Sequence, residues 1–320
     1  MTSSENYLIV ASVLEKTGLI KDGWFMNTEM AYLLGMVCGN GEIRRGATET
    51  RISINIPHKK LKTENNQDVQ VYVRASIADI RAIIEPLIGT GIEFTQAKST
   101  TTLSFNKANT NYIMRELLRF IGNASSHENI RVNHEVYEFT RDEKIQFLRG
   151  FADVTGYIRR SNHYFNKYEH RVYLEVPHNW YLVVDICNLL KDVGVPVQNI
   201  NWSHPNFRDG KLVKFDEGKP HYWKKEHQIK IYANEFRPIG FAVVHKAETL
   251  EQLSNELVET LELNGVDVTA RTHKYYWEVR DSNKSRLHHP RVNDDFIPET
   301  IRGRQYNSWK DIARDLGYGE

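Results

Sequence analysis

Four short runs of this 320-residue chain carry a hydrogen-bonding side chain at every second position. Arg51, Ser53 and Asn55 alternate with Ile52, Ile54 and Ile56, and Gln70, Tyr72 and Arg74 alternate with Val69, Val71 and Val73. Arg171, Tyr173 and Glu175 alternate with Val172, Leu174 and Val176, and Gln228, Lys230 and Tyr232 flank Ile229 and Ile231. Guanidinium, carboxamide and carboxylate groups make forked, directional hydrogen bonds, so their chemistry is recognition of a polar partner. Groups with bond-making chemistry are sparser. The chain has no GxxxxGK phosphate loop and no GxSxG elbow. Cys38 and Cys187 stand alone, and His204, His221, His227, His288 and His289 fall at no spacing known for a zinc ligand pair, which favours structural or surface histidines.

Period-two alternation requires strands with one face buried and one wet. The first two runs are expected to pair across a turn near Asn65-Asn66-Gln67, followed by a helix from Ile77 to Ile88, strands at Ile92 to Thr95 and Thr101 to Phe105, and a helix from Asn111 to Ile121. The third and fourth runs enclose a helix from Trp180 to Leu190 and a strand from Val197 to Trp202, and a helix from Ala247 to Leu261 closes the series. Each series is headed by an apolar helical stretch, and the two stretches match. Tyr32-Leu33-Leu34-Gly35-Met36-Val37-Cys38-Gly39-Asn40-Gly41 aligns with Phe147-Leu148-Arg149-Gly150-Phe151-Ala152-Asp153-Val154-Thr155-Gly156 at an offset of about 115 residues. Asn27 and Thr140 are placed to cap the two helices. The expected organisation is α+β, a duplicated αββαββα at residues 25–135 and 136–264, with an extension at 1–24, a charged insertion near 203–226 and a further extension at 265–320. In the last of these, Tyr306 to Gly317 has the pattern of a helix and turn, read as a terminal packing helix.

Composition bounds the class. Hydrophobic residues at 40% and aromatics at 11% can fill a core and exclude collagen-like and low-complexity chains. No apolar run approaches the roughly 18–20 residues that span a bilayer, and the start of the chain lacks the pattern of a leader, so a cytoplasmic protein with reduced thiols and no membrane partner is expected. A net charge of +1 decides nothing about a polyanionic partner. Basic residues gather at Arg44, Arg45 and Arg51, at His58, Lys59 and Lys60, and from Arg159 and Arg160 through Lys167 to Arg171; such runs are commonly no more than solvated faces.

Two matched helices ending in Gly39-Asn40-Gly41 and Val154-Thr155-Gly156, each heading an αββαββα half, resemble the LAGLIDADG homing endonucleases and maturases in their single-chain, two-repeat form. The resemblance implies a pseudo-twofold pair of motif helices in close backbone approach at Gly35 and Gly150, and two sheets forming a saddle in successive major grooves of duplex DNA. On that reading the alternating polar residues of the four runs, with Arg44, Arg45, Arg159 and Arg160, contact DNA. Arginine suits guanine, asparagine and glutamine suit adenine, and glutamate accepts from cytosine. An ordinary solvated sheet face is the plain alternative for each.

Active members of that family place a carboxylate before the last glycine of each motif, and the two hold divalent metal. Here those positions are Asn40 and Thr155, which supply no anionic oxygen. The resemblance therefore implies double-stranded DNA binding without the usual cleavage and without a cofactor, as in the recognition component of a restriction system that works with a separate catalytic subunit. The alternative is a site-specific endonuclease using displaced acids and Mg2+. Its candidates are Asp153, which is otherwise expected to bind backbone amides or Arg149; Glu42, an exposed carboxylate at a strand start; and Asp216-Glu217-Gly218-Lys219 with Asp209 upstream. The last contains the Glu-x-Lys element of another nuclease class, a pattern short enough to recur by chance. A maturase-type RNA-splicing cofactor is a third reading, although no stacked RNA-reading motif is visible.

Overall fold

The computed structural model describes residues 24–64, 68–89, 91–160, 170–177, 179–201 and 226–263, with strand segments at 20–21, 277–278, 299–301 and 304–306. The insertion near 203–226, with Asp209, Asp216, Glu217 and Lys219, lies outside the described residues, as do Lys167, His204, His221, His288, His289 and the expected terminal helix. Among the described residues no helix is long and apolar enough to cross a membrane.

The first half runs α1 (Thr28–Asn40), β1 (Gly41–Arg45), β2 (Glu49–Pro57), α2 (Val69–Ile88), β3 (Glu93–Gln96), β4 (Thr100–Ala108) and α3 (Tyr112–Ile121). The second runs α4 (Arg141–Thr155), β5 (Gly156–Arg159), β6 (Arg171–Pro177), α5 (Trp180–Asp192), β7 (Asn199–Asn201), β8 (Glu226–Tyr232) and α6 (Val244–Leu263). Apart from one-turn helices at His58–Leu61 and Ala233–Phe236, both halves read αββαββα. The helix starts arise from local chemistry. The Asn27 side chain accepts the Met30 N–H at 2.8 Å, and Thr140 with Glu143 forms a reciprocal capping box on α4.

One expected strand is a helix. Val69 to Arg74, whose alternation suggests an extended segment, forms the first turns of α2, where the Asp68 carboxylate accepts the N–H groups of Gln70 and Val71. Burial explains the outcome: Tyr72, Val73, Ser76, Ile80, Ile84 and Ile88 form one helical stripe, while Val69 and Val71 are exposed. The six alternating residues are a short run embedded in a longer helical period. The true partners of β2 are β1 and β4, in an antiparallel sheet of order β1-β2-β4-β3. Its inner face carries Ile52, Ile54, Ile56, Leu103 and Phe105, each burial worth about 1.5–3 kcal/mol.

The second sheet has the order β9-β7-β8-β6-β5, where β9 (Trp277–Glu278) is parallel to β7 and the β6, β7 and β8 pairings are antiparallel. Val172, Leu174, Val176, Ile229 and Ile231 face inward, with Leu182, Val183, Ile186 and Leu189 of α5 also buried. The compact units do not coincide with the sequence repeat. Residues 1–157 with 238–249 form one unit and 158–237 with 250–320 the other, so both motif helices lie in the first.

Candidate nucleic-acid interface

Helices α1 and α4 pack backbone to backbone. A methyl group on Gly35 would stand 1.9 Å from the carbonyl oxygen of Phe147, and one on Gly150 would stand 2.0 Å from that of Tyr32. Gly35 and Gly150 are equivalent in the sequence repeat, as are Tyr32 and Phe147, so the contact is reciprocal in the manner of a two-fold interface. Larger residues would force the helices apart.

At the far end of this seam stand Asn40 and Thr155. The Asn40 Nδ2 donates to the carbonyl of Val154 at 2.8 Å, and the Thr155 hydroxyl donates to the carbonyl of Phe151 at 2.7 Å. Both side chains are buried, neutral and engaged with the backbone of α4. Hard divalent cations at such sites are held chiefly by anionic oxygens, and this pair supplies none. Among the described residues no group of three or more His, Cys, Asp or Glu is arranged to hold a metal ion.

Asp153 is fully buried. Its Oδ2 accepts the Tyr32 hydroxyl at 2.8 Å and the Ala242 N–H at 3.0 Å, and its Oδ1 lies 3.8 Å from Lys246 Nζ. Lys246, itself fully buried, also donates to the carbonyls of Ala152 and Asp153, both at 3.3 Å, and Gly156 at 3.0 Å, placing a cation on the C-terminal carbonyls of α4. Burial pushes the Asp153 carboxyl up, against the pull of Lys246, and lowers the Lys246 ammonium to about 8. Burial likewise drives the Tyr32 hydroxyl well above its ordinary value. Of the two expected kinds of partner for Asp153, a backbone amide is present in Ala242, whereas Arg149 donates to the carbonyl of Ile239 at 2.7 Å. Lys246 and Tyr32 carry no distinguishing signal in the sequence: one sits in an ordinary charged helix and the other in an apolar run.

The polar face of the first sheet is open, and the strand register sets three rows of side chains across it. Arg44, Arg51 and Asn106 form the first; Glu42, Ser53, Ser104 and Glu93 the second; Asn55, Thr102 and Thr95 the third. Arg44, Asn106, Glu93 and Thr95 are exposed, whereas Glu42, Arg51, Ser53, Asn55 and Thr102 are half-buried. Arg51 Nη2 donates to Glu93 Oε2 and to Ser104 Oγ, both at 2.8 Å. Asn55 donates to Glu42 at 3.2 Å and accepts from Thr102 at 2.8 Å. Sequence reasoning missed Thr102, Ser104 and Asn106, although Thr102-Leu103-Ser104-Phe105-Asn106 alternates as plainly as β2. Arg45 has the opposite parity to Arg44 and binds the carbonyls of Gly122 and Ala124 just beyond α3.

Other expected positions move away from an open sheet. Gln70 and Arg74 lie exposed on α2, and Tyr72 is buried beneath them. In the second sheet Tyr173, Glu175, Gln228 and Lys230, expected to be wet, are all buried. There the register pairs Glu175 with Gln228, whose Nε2 donates to Glu175 Oε1 at 3.0 Å. The guanidinium of Arg171 sits 5.7 Å from the Tyr232 ring and that of Arg159 4.9 Å from the Tyr173 ring, both cation–π contacts. Arg160 grips Glu256 with both terminal nitrogens.

No family model matches the chain, and no match is found among curated proteins. Among solved structures, I-DmoI in complex with DNA and Mn is 16% identical with a TM-score of 0.35, covering 69% of this chain and 96% of that one. The LAGLIDADG meganuclease I-AabMI bound to uncleaved DNA is 14% identical at a TM-score of 0.35, covering 74% and 92%. Full-length DUF199/WhiA from Thermatoga maritima is 13% identical at 0.37, covering 75% and 68%. Likeness at this level carries no argument about activity, which rests on the residues themselves.

Proposed function

We propose that this protein is a sequence-specific duplex DNA-binding protein of the LAGLIDADG type that lacks the metal-dependent cleavage of its active counterparts. The observation that carries the reading is the contrast within residues 24–157. At the seam, the two positions where cleavage requires carboxylates hold Asn40 and Thr155, each bonded to a backbone carbonyl. On the first sheet, an open face presents Arg44, Arg51, Ser53, Asn55, Thr102 and Asn106, side chains that match base edges in a major groove better than a uniform field of phosphates. A β-sheet face of this width is compatible with groove entry. Recognition then belongs to this chain, and any strand cutting to a separate catalytic subunit, the division of labour found where one component of a restriction system reads and another cuts.

Selection from a random duplex library tests the reading. The expected result is a consensus on the order of ten to twenty base pairs, with affinity falling as salt rises. Incubation of plasmid and phage DNA with Mg2+ or Mn2+ is expected to leave it intact. Discrete fragments lost on Glu42→Ala, or on Glu217→Ala, would transfer the assignment to a nuclease with displaced acids.

A further inference from the structure

Resting on that DNA-binding reading, we infer that Glu93 is a specificity-determining residue: an internal competitor for Arg51 that makes the open sheet face demand guanine. The Arg51 Nη2 already serves two acceptors, Glu93 Oε2 and Ser104 Oγ, each at 2.8 Å. A guanidinium forks either side-on, through Nε and Nη2, or end-on, through its two terminal nitrogens, and Nη2 takes part in both. Either fork needs one of the two Nη2 hydrogens, both of which serve internal acceptors, so a base edge must displace one of those acceptors. Guanine offers O6 and N7 together and replaces one displaced acceptor with two; adenine N7 or thymine O4 replaces one with one, and the exchange gains the guanidinium nothing.

The pair is built for exchange. Side-chain exposures of 36% for Arg51 and 62% for Glu93 make it a surface ion pair, which opens at little cost. Glu93 also stands in one cross-strand row with Glu42, so two carboxylates share the face with Arg44 and Arg51. They repel phosphate and suppress indiscriminate binding, and the face selects by difference.

The test compares full-length wild type with Glu93→Ala and Glu93→Gln on the selected consensus duplex and on duplexes changed at the guanine assigned to Arg51 by its loss in Arg51→Ala. The readout is the ratio of dissociation constants, changed over consensus. Glu93→Ala is expected to bind the changed duplexes more tightly and to lower the ratio about three- to fivefold, a ceiling set by what a surface ion pair is worth as a competitor. Glu93→Gln, which keeps an acceptor without its charge, should fall between. A carboxylate that only supports the sheet would weaken all duplexes together and lower the melting temperature, and a ratio within about twofold of wild type with either pattern overturns the role of Glu93. Failure of wild type to select any consensus sinks the DNA-binding function itself, an outcome distinct from an unaltered ratio.

Discussion

The two sheets begin from the same kind of sequence and meet different fates. In β2 the residues Arg51, Ser53 and Asn55 are half-exposed, and their bonds run to neighbours on an open face. In β6 and β8 the equivalent ladder of Tyr173, Glu175, Gln228 and Lys230 is buried, and Glu175 and Gln228 are hydrogen-bonded to each other. Alternation tells which side chains share a face, because successive residues of a strand point to opposite sides. It does not tell whether that face meets water. An exposed polar row can trade partners with a ligand at small cost, while a buried one has lost that freedom, since breaking its bonds leaves groups unpaired in a low dielectric.

The largest effect removes the shared support. Gly35→Val places side-chain atoms against the Phe147 carbonyl, and loss of more than about 4 kcal/mol is expected, read as a collapse of the denaturant midpoint. DNA binding should vanish with the fold. Next in size, Asp153→Ala takes the counter-ion from the buried Lys246 and the acceptor from the Tyr32 hydroxyl and the Ala242 N–H, and should cost about 3–5 kcal/mol. Neither variant discriminates the sheets, and both give the scale against which changes on either sheet are small.

Glu175→Ala and Arg51→Ala separate the two faces directly. Glu175→Ala should destabilise by about 1–3 kcal/mol, because the Gln228 amide loses its buried acceptor, with little change in DNA affinity per folded molecule. Arg51→Ala should do the reverse: a melting temperature near wild type and a loss of about 1–3 kcal/mol confined to one base pair of the consensus. If Glu175→Ala changes base preference while Arg51→Ala does not, the roles assigned to the two faces are exchanged.

A titration belongs to the seam and to neither sheet. The folded Lys246 ammonium ionises near 8 against 10.5 for an unperturbed lysine. Between those values the unfolded chain binds the extra proton, so stability rises with pH across that window relative to Lys246→Met. Asp153 acts in the opposite sense: its raised pKa means the folded state binds protons more readily, and its penalty is relieved as pH falls through that value. Denaturant midpoints of wild type and Lys246→Met at pH 7, 9 and 10, values chosen to bracket the window, should diverge upwards for wild type; parallel curves would remove Lys246 from the account.

Much of the fold was legible from local rules. Asn27 and Thr140 announced the motif helices, and α3 begins within a residue of its expected start, with Asn111 as its cap. The αββαββα order is present in both halves even though Val69 to Arg74 reads as a strand by alternation, because β1 and β5 begin directly after the two motif turns. The candidate site was legible in part. Arg51, Ser53 and Asn55 were visible by alternation, and the neutral Asn40 and Thr155 by motif position, whereas Glu93 and the β4 residues fall into rows with them only through strand register.

Residue type and spacing alone determined the repeat, the helix caps and the neutral side chains at Asn40 and Thr155, since each is read from residue identity and local order along the chain. Tertiary structure decided the rest: that Lys246 lies against Asp153, that Tyr72 turns inward, and that one polar ladder is open while the other is buried. Those outcomes depend on which distant segments pack together, and burial, the quantity that turns an exchangeable hydrogen bond into a structural one, is a property of the packed chain and not of any stretch of it.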